Sequence, residues 1–438
     1  MRTVLEEVAR WLAAGKPVAL ARVTEVVGSG IRPAGAAIAV TGTEVLGSAS
    51  GGCVEGALVE EARLALADDG APRTRTFGCS DDEAFDVGLT CGGLVKVLIE
   101  RFDPPASGGP PTPWLDQLTH LVGSGTGAAL LEVIEGPSEI LGWKTVLSEA
   151  SVAGAVGPGG EGVALPEALA PFGPAILEDA SADLAGERSA SHTYRSMTLE
   201  AQLEVTLFVD SFPSPPKMVV VGAASFTAAL TSQAKLLGYH VVVCDARPVF
   251  ASAARFPDAD EVVVDWPDRF LGRVGAGLGP RDALCVLTHD AKFDVPAIMA
   301  ALATDIGYIG VMGSRRTQED RRRRLREAGA GDADLERLRG PVGLDLGANS
   351  PAETAVSIMA EVIAVHRGRS GGSLASARGP IHPTHASGSE GYATPFGLRA
   401  GCEAPGPGAQ PGAGGPGAPA GPRPGAQEGA RPASLQEN

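Results

Sequence analysis

One cysteine of this chain, Cys53, lies in a sequence that can stabilise a reactive thiolate. It directly follows Gly51 and Gly52, and an apolar pattern with helical spacing begins one residue later and runs to Leu66. The free N–H groups and the positive dipole end of a helix start stabilise a thiolate or a bound anion. Two glycines let another group approach the backbone closely. A buried, unreactive cysteine that fills a tight turn would give the same pattern.

Short strands are predicted around this cysteine. They are expected at Val18–Val27 and at residues 36–40, because these runs are apolar or β-branched and turn residues separate them. A second glycine and cysteine segment, residues 88–93 with Cys91, precedes another apolar run at 94–99. The first part of the chain is therefore predicted to be an α+β domain in which small turns hold both cysteines.

One basic side chain follows the first predicted strand. Arg32 lies in the loop between the first two strands and can bring positive charge near Cys53. Such a charge would stabilise a thiolate or hold an anion. An ordinary exposed loop arginine would give the same sequence, so both interpretations stay open.

From Met218 onward, continuous apolar strands alternate with amphipathic helices. This alternation predicts a parallel sheet that helices cover on both faces, as in a Rossmann-like fold. The predicted strands lie at residues 218–221, 240–244, 261–264, 283–287 and 308–311. A last helix is expected to begin after Ser350, because Glu353 stands three residues later and completes a capping box.

The turn after the first of these strands has the position of a dinucleotide-binding loop but lacks its glycines. Gly222 is present, whereas Ala224 and Thr227 stand where the second and third glycines would be. A methyl group at the second position keeps a pyrophosphate away from the backbone. Asp245 closes the second strand, near the roughly 20-residue spacing at which an acid can bind a ribose hydroxyl. The alternative is a turn that binds no phosphate.

Polar side chains also follow the fourth and fifth predicted strands. His289 and Asp290 come after the fourth strand, and Ser314 and Arg315 come after the fifth. Because open α/β sheets bind ligands at the carboxyl ends of their strands, these residues are candidates for one pocket. The first pair would supply polar or acid–base groups and the second would hold an anion. A structural hydrogen-bonding role is the alternative for His289, and the arginines at 321–324 are predicted to form a solvated helix face.

Composition and charge exclude several classes of protein. A formal net charge of −16 argues against a general nucleic-acid binder, which needs a basic surface. The six cysteines form no CxxC pair, so neither a zinc ribbon nor a disulfide framework is expected. The first residues do not resemble a signal peptide, and no apolar run approaches the roughly 20 residues that span a bilayer. We expect a soluble cytoplasmic protein with no membrane partner.

The expected domain organisation has four parts. Residues 1–210 form an N-terminal domain, within which the sequence does not define the organisation of 102–210. Residues 211–217 form a proline-stiffened linker, and residues 218–367 form the Rossmann-like domain. Residues 368–438 are rich in glycine and proline and carry few large apolar side chains, so a disordered tail is predicted there.

Several motifs in this order resemble the XdhC/CoxI family of molybdenum-enzyme maturation factors. They include Ser50-Gly51-Gly52-Cys53-Val54-Glu55-Gly56, Thr288-His289-Asp290 and Gly313-Ser314-Arg315-Arg316-Thr317, with further matches at residues 28–36, 89–93, 245–247 and 343–353. The resemblance extends to about residue 367 and is weaker in the middle. It has one departure, because the family usually carries Gly-Ala-Gly-His where this chain has Gly222-Ala223-Ala224-Ser225.

The resemblance implies an accessory protein and not a turnover enzyme. Such a protein binds the molybdenum cofactor, molybdopterin, and protects it while its terminal sulfur is installed. It then hands the cofactor to an apoenzyme of the xanthine dehydrogenase or carbon monoxide dehydrogenase type. The implied partners are that molybdoenzyme apoprotein and a cysteine desulfurase, and we expect a homo-oligomer.

The resemblance also suggests which residues meet the cofactor. Cys53, together with Cys91, would meet the molybdenum or its sulfur. Backbone amides at Gly51 and Gly52, and the loop of Arg315, would hold the phosphate. The further candidates for cofactor binding are Arg32, Glu55, Gly222, Asp245, His289, Asp290 and Ser314.

Two other functions stay open at this point. An NAD(P)-dependent oxidoreductase is favoured by the Rossmann-like fold and by Asp245, but the altered glycine loop and the lack of a hydride-transfer constellation oppose it. A degenerate structural partner of a maturation complex is suggested by Ala224 and Ser225. Bound pterin would support the chaperone, and tight NAD(P)H binding without pterin would support the oxidoreductase.

Overall fold

Two antiparallel sheets and one parallel sheet make up the fold. The computed structural model describes residues 1–27, 32–52, 54–68, 72–78, 94–105, 108, 112–155, 165–197 and 202–378. These residues belong to one unit, Met1–Thr384. The predicted fold class, an α+β N-terminal part followed by a Rossmann-like part, is confirmed. Most of the predicted tail lies outside the described residues.

The first antiparallel sheet has five strands in the order β3-β2-β1-β5-β4. Its elements are α1 (Leu5–Ala13), β1 (Val18–Val27), β2 (Ala37–Val40), β3 (Val45–Ser48), α2 (Glu55–Ala67), β4 (Arg73–Gly78) and β5 (Leu94–Phe102). Both faces of β1 are buried, because Leu20 packs in the core with α1 whereas Ala19 and Ala21 pack in the core with α2. The predicted strand at Val18–Val27 is confirmed.

The second antiparallel sheet has four strands in the order β7-β6-β9-β8. Its elements are α3 (Pro113–Gly123), β6 (Ala128–Glu135), β7 (Lys144–Ser148), α4 (Glu149–Ala155), α5 (Gly173–Ala185), β8 (Ala190–Met197) and β9 (Gln202–Phe212). A 3-10 turn at Glu167–Phe172 precedes α5. The described residues of the region that the sequence left undefined, 102–210, therefore form helices and strands.

These two sheets are copies of one unit. In each, a helix leads into a central strand and its hairpin partner, and a later helix, α2 or α5, precedes a final antiparallel pair; β3 adds a strand to the first unit and α4 adds a helix to the second. Val18 pairs with Phe102, and the equivalent pair, Ala128 with Phe212, recurs about 110 residues later in the chain. Both central strands also shift register at the same place, after Val23 in one and after Val133 in the other. We call residues 5–102 the first copy and residues 113–212 the second copy.

A buried ion cluster joins the two copies at their centre. Arg22 Nη2 lies 2.7 Å from Glu100 Oε2 and also pairs with Glu132. Lys144 Nζ lies 2.6 Å from Glu100 Oε1 and 2.7 Å from Glu132 Oε1, while Asp210 Oδ2 lies 3.8 Å from Arg22 Nη1. Arg22 and Glu132 occupy equivalent places in the two copies. Buried charges are costly unless they are paired, so this cluster favours one arrangement of the copies.

The parallel sheet has six strands in the order β12-β11-β10-β13-β14-β15. Its elements are β10 (Lys217–Val221), α6 (Ser225–Leu236), β11 (His240–Cys244), β12 (Glu261–Val263), α7 (Pro267–Val274), β13 (Ala283–Val286), α8 (Ala291–Leu302), β14 (Tyr308–Val311), α9 (Arg315–Glu327), α10 (Asp332–Glu336), β15 (Leu338–Arg339) and α11 (Pro351–His366). Val219 and Val221 pack in one core, and Met218 and Val220 pack in another. The predicted coverage of both faces is therefore observed.

A short connection joins the second copy to the parallel sheet. Strand β9 continues to Phe212 and β10 begins at Lys217, so residues 213–216 lie between the strands. Arg281 donates to the Ser214 carbonyl at 2.8 Å and pairs with Glu187 of the second copy. These contacts hold the connection in place. Among the described helices, none has the length and apolar character required to traverse a bilayer.

Candidate functional site

The turn before α2, residues 48–55, is built around the carboxylate of Glu55. Oε1 of Glu55 accepts from Ser48 Oγ at 2.8 Å and from Ser50 N–H at 2.9 Å. Oε2 accepts from Gly52 N–H at 2.6 Å and from the Ser50 hydroxyl. We call residues 48–55 the cysteine turn, although Cys53 itself lies outside the described residues. Cys91 lies outside them as well.

These hydrogen bonds keep Glu55 ionised. Partial burial alone would raise the pKa of Glu55, but the donors from Ser50 and Ser48 outweigh it and lower the pKa to about 2. Glu55 is the first residue of α2, where a negative charge complements the helix dipole. The sequence predicted a thiolate or bound anion at this helix start, and the Glu55 carboxylate provides part of that negative charge.

The predicted contact between a phosphate and the amides of Gly51 and Gly52 stays a prediction, and both amides donate hydrogen bonds within the turn. Gly51 N–H donates to Ser48 Oγ at 3.1 Å, and Gly52 N–H donates to Glu55. Both glycines are exposed, with φ of 79° and 117°, and a Cβ on Gly52 would meet no atom within 4 Å. Among the described atoms, the space beside Gly52 is thus open, while the N–H groups of both glycines shape the turn internally.

Arg32 lies in the loop before β2 and is half-buried. Its Nε is buried and has no hydrogen-bond partner among the described residues. Its charge acts on the Met1 amino group, whose pKa is lowered first by burial and then by nearby cations that include Arg32. The described contacts give no link between Arg32 and the cysteine turn, so its effect on Cys53 stays a prediction.

At the parallel sheet, Gly222 packs directly against the loop after β13. Its φ is 107°, and a Cβ there would lie 2.6 Å from Thr288 Cγ2, so a side chain would not fit. Asp245 is buried and accepts from Ala223 N–H at 2.8 Å. It also accepts from Arg247 through Nε at 2.9 Å and Nη2 at 2.8 Å. The carboxylate that would bind a ribose in a dinucleotide site is thus already occupied.

The candidates after β13 and β14 divide into helix caps and free side chains. Asp290 caps α8 by accepting from Lys292 N–H at 3.1 Å, and Ser314 caps α9 by accepting from Thr317 N–H at 3.2 Å. His289 and Arg315 are exposed and have no hydrogen bond or ion pair with any described residue. The structural hydrogen-bonding role considered for His289 therefore has no described partner.

Arg321 corrects the prediction that the arginines at 321–324 form one solvated face. Its side chain is 5% exposed, and Nη2 lies 2.7 Å from Asp294 Oδ2. Arg323 is exposed and Arg324 is half-buried, and both pair with Asp320, as predicted for a solvated face. Helical spacing gives the signal that was missed, because Gln318, Arg321 and Leu325 are the buried positions of α9.

The described contacts place the candidates in two separate groups. Glu55, Gly51 and Gly52 belong to the turn beside the first sheet. The candidates at the carboxyl edge of the parallel sheet are Gly222, Asp245, His289, Asp290, Ser314 and Arg315. No hydrogen bond or ion pair joins the two groups within the part of the chain that the structure describes. In the same part, no cluster of three or more His, Cys, Asp or Glu side chains could hold a metal ion.

The curated relatives are named as an enzyme subunit, an uncharacterized protein and a chaperone. A probable xanthine dehydrogenase subunit of Bacillus subtilis (strain 168) is 31% identical over 157 residues, which cover 36% of this chain and 45% of the relative. The uncharacterized protein YqeB of Escherichia coli (strain K12) is 28% identical over 41% of this chain and 32% of its own length. The match thus spans less than half of each relative. The molybdenum cofactor insertion chaperone PaoD of Escherichia coli (strain K12) is 24% identical over 83% of this chain and 88% of its own length.

A solved structure has the same fold. It is a Bacillus halodurans crystal structure described as a xanthine dehydrogenase, with a TM-score of 0.59 and 24% identity over 86% of this chain and 98% of that one. Two family models also match, one for the XdhC and CoxI family at residues 11–78 and one for the XdhC Rossmann domain at residues 218–362. These matches flank the second copy and cover the cysteine turn and the carboxyl edge. The chain belongs to the XdhC and CoxI family.

Proposed function

We propose that this chain is a chaperone that binds the molybdenum cofactor and supports its insertion into an enzyme of the xanthine dehydrogenase type. The observation that carries the proposal is the similarity to PaoD, a molybdenum cofactor insertion chaperone, over 83% of this chain and 88% of that one. Family membership supports it over the two regions that hold the candidate site residues.

The turn geometry supports a role in binding a bulky ligand. Glu55 uses both carboxylate oxygens to hold the turn, and no described atom would meet a Cβ on the exposed Gly52 within 4 Å, which leaves room for another molecule. In this proposal Cys53 meets the molybdenum or its terminal sulfur, with Cys91 as a second thiol. A thiolate close to a helix start is a suitable soft ligand for such a centre.

The carboxyl edge supports a second contact with the same cargo. Arg315 and His289 are exposed and unpaired with described residues, and a guanidinium binds phosphate oxygens well. We propose that they hold the cofactor's phosphate. Ser314 and Asp290 act as caps that fix the starts of α9 and α8, and Gly222 fixes the neighbouring turn.

The finer steps of the proposal concern sulfur and partners. The chain protects the cofactor while a cysteine desulfurase provides the terminal sulfur, and it then transfers the cofactor to a xanthine dehydrogenase or carbon monoxide dehydrogenase type apoprotein. It acts in the cytoplasm as a homo-oligomer and does not itself turn over a substrate.

A pterin measurement tests the binding step. The full chain is purified from cells that make molybdopterin, and bound pterin is oxidised and measured by its fluorescence. We expect pterin with the wild type and at least a tenfold loss in Cys53→Ala. Cys285→Ala is the matched control, because Cys285 is a buried cysteine of β13 and is not one of the candidate site residues. Wild type without pterin, or equal pterin in Cys53→Ala, would contradict the proposal.

A nucleotide titration tests the oxidoreductase alternative. Asp245 is fully hydrogen-bonded to Arg247 and Ala223, so we expect weak binding of NADH and NADPH. Binding is measured by the fluorescence of the reduced nicotinamide. Tight binding of either nucleotide by protein that carries no pterin would favour the oxidoreductase over the chaperone.

A further inference from the structure

A buried ion pair connects the two loops that carry the exposed candidates at the carboxyl edge. Thr288 Oγ1, in the loop after β13, donates to Asp294 Oδ1. Asp294 Oδ2 accepts from Arg321 Nη2 at 2.7 Å. Arg321 Nη1 in turn donates to the Met312 carbonyl at 3.1 Å, in the loop after β14. Side chains therefore link the residue before His289 to the residue two before Ser314.

The same network reaches two further strand ends. Arg321 Nη1 also donates to Gln318 Oε1 at 2.8 Å, and Gln318 Nε2 donates to the Val311 carbonyl at 2.9 Å. A Cβ on Gly340, which follows β15, would lie 2.6 Å from Gln318 Oε1, so that backbone lies close against the network. Gly222 packs on Thr288 from the end of β10. We call Thr288, Asp294, Gln318 and Arg321 the edge network.

Burial makes this network sensitive to geometry. The Asp294 and Arg321 side chains are 3% and 5% exposed. A buried ion pair adds little net stability compared with well-packed apolar residues, but its hydrogen bonds demand defined positions. The two terminal nitrogens of the Arg321 guanidinium connect to different loops: Nη2 contacts Asp294 of α8, which accepts from Thr288 in one loop, and Nη1 contacts the Met312 carbonyl in the other. The network therefore sets the separation of the two loops before any ligand arrives.

We propose that Asp294 and Arg321 are positioning residues that hold His289 and Arg315 at the spacing needed to bind one phosphate together. This inference rests on the proposed function, because it takes the cofactor's phosphate as the group bound at the edge. Two contacts that are held in place before binding lose less entropy than two mobile ones. Arg321 thus increases affinity without touching the ligand.

The variant Arg321→Lys tests the positioning role. Lysine keeps the charge and the contact with Asp294 but cannot direct separate nitrogens to two loops. Molybdopterin is released from a donor protein under anaerobic conditions, and its affinity for the full chain is measured by titration. We expect about a tenfold loss of affinity in R321K and a similar loss in R315A. Arg323→Lys, on the exposed face of the same helix, is the matched control and should bind like the wild type.

The double variant R315A/R321K separates positioning from general destabilisation. If Arg321 acts by placing Arg315, the second substitution adds less than about a twofold further loss once Arg315 is absent. If the two losses multiply, Arg321 has only a structural role and the inference is wrong, although the proposed function stands. Wild type that binds no molybdopterin contradicts the function and the inference together.

A second variant keeps the test valid if R321K folds poorly. Thr288→Val removes the hydroxyl that reaches Asp294 and keeps the shape of the side chain. In the wild-type background it should lower molybdopterin affinity about threefold to tenfold. In the R315A background it should leave the affinity unchanged. An unchanged affinity in Thr288→Val and in R321K, with both proteins folded by circular dichroism, would overturn the inference.

Discussion

The two copies of the helix and strand unit share one architecture and differ in the turn before their central helix. In the first copy, α2 begins at Glu55, whose carboxylate closes the cysteine turn. In the second copy, α5 begins at Gly173 and Pro174 after a 3-10 turn. A helix start with an acidic first residue and exposed glycines can support a binding site, and a helix start with proline supports packing. The comparison suggests that one copy kept a site and the other became scaffold.

The copies also differ in how they hold the helix against the outer strand. Arg75 Nε of β4 lies 3.1 Å from Glu61 of α2 in the first copy. At the equivalent strand position of the second copy, His192 Nδ1 lies 3.5 Å from Asp179 of α5, and its Nε2 lies 2.6 Å from the buried Asp183. A permanent charge in one copy is therefore matched by a titratable one in the other.

The largest effect should come from breaking the contact between the copies. Arg22→Met removes one of the two cations that pair with Glu100 and Glu132 in the core and leaves only Lys144, so we expect a loss of about 3–5 kcal/mol in the free energy of unfolding. Urea unfolding measures this loss. Arg323→Met, an exposed arginine, should change stability by less than about 1 kcal/mol. A loss below about 1 kcal/mol in Arg22→Met would show that the cluster does not hold the copies together.

Removing the carboxylate of Glu55, the acidic residue that begins α2 in the first copy, should have the next largest effect. In Glu55→Gln, one oxygen that accepts two hydrogen bonds is replaced by a donor, so we expect a loss of about 2 kcal/mol and at least tenfold less bound pterin. Thermal unfolding and pterin fluorescence measure the two effects. Glu60→Gln, an exposed glutamate on the same helix, is the control. Pterin retention equal to that of the wild type would separate the turn from cofactor binding.

The titratable pair of the second copy should give a smaller, pH-dependent effect. Burial lowers the pKa of His192, but the hydrogen bond and charge of Asp183, together with the charge of Asp179, outweigh it and raise the pKa above 6.5. The added stability is therefore complete below pH 6.5 and lost as pH rises through the folded pKa. His192→Arg places a permanent charge at this position, as in the first copy. The difference between its free energy of unfolding and that of the wild type should increase as pH rises through the folded pKa of His192. Urea unfolding at several pH values tests this, and parallel curves would contradict it.

The smallest effect is expected for the permanent pair of the first copy. Arg75→Gln removes an ion pair with Glu61 in which the arginine side chain is 46% exposed. Surface ion pairs contribute little, so the free energy of unfolding should fall by about 0.5 kcal/mol or less. Salt titration in the same unfolding experiment checks the cause, because 1 M NaCl should abolish the difference from the wild type. A loss above about 2 kcal/mol would mean that the two pairs are not comparable.

The parallel sheet was predictable because its strands are continuous apolar runs. His240–Cys244 and Tyr308–Val311 were expected and observed with the same bounds, since strands covered on both faces need apolar residues throughout. The second copy was missed because the two copies share an order of helices and strands more than they share identical residues. Its shared residues include the pairs Ala19 and Ala129, Leu20 and Leu130, Val23 and Val133, and Phe102 and Phe212.

The site was less predictable than the fold, for reasons visible in single residues. Glycines at a helix start predict a site for a bound anion, but the sequence alone does not show that the Glu55 carboxylate folds back towards this site. Arginine in a charged run predicts solvent exposure, and Arg321 is buried because Asp294 compensates its charge from another helix. Both cases depend on contacts between residues that local patterns do not connect.

The ion pair between Arg22 and Glu132 requires two copies that differ in sequence at this position. In a symmetric dimer of identical subunits, a residue close to the two-fold axis faces its own copy, so arginine would meet arginine and glutamate would meet glutamate. Covalent joining of the two copies removes that constraint, since each position can then change alone. The single chain can therefore place opposite charges at these equivalent positions, and they bind together two halves that a separate homodimer could not pair in the same way.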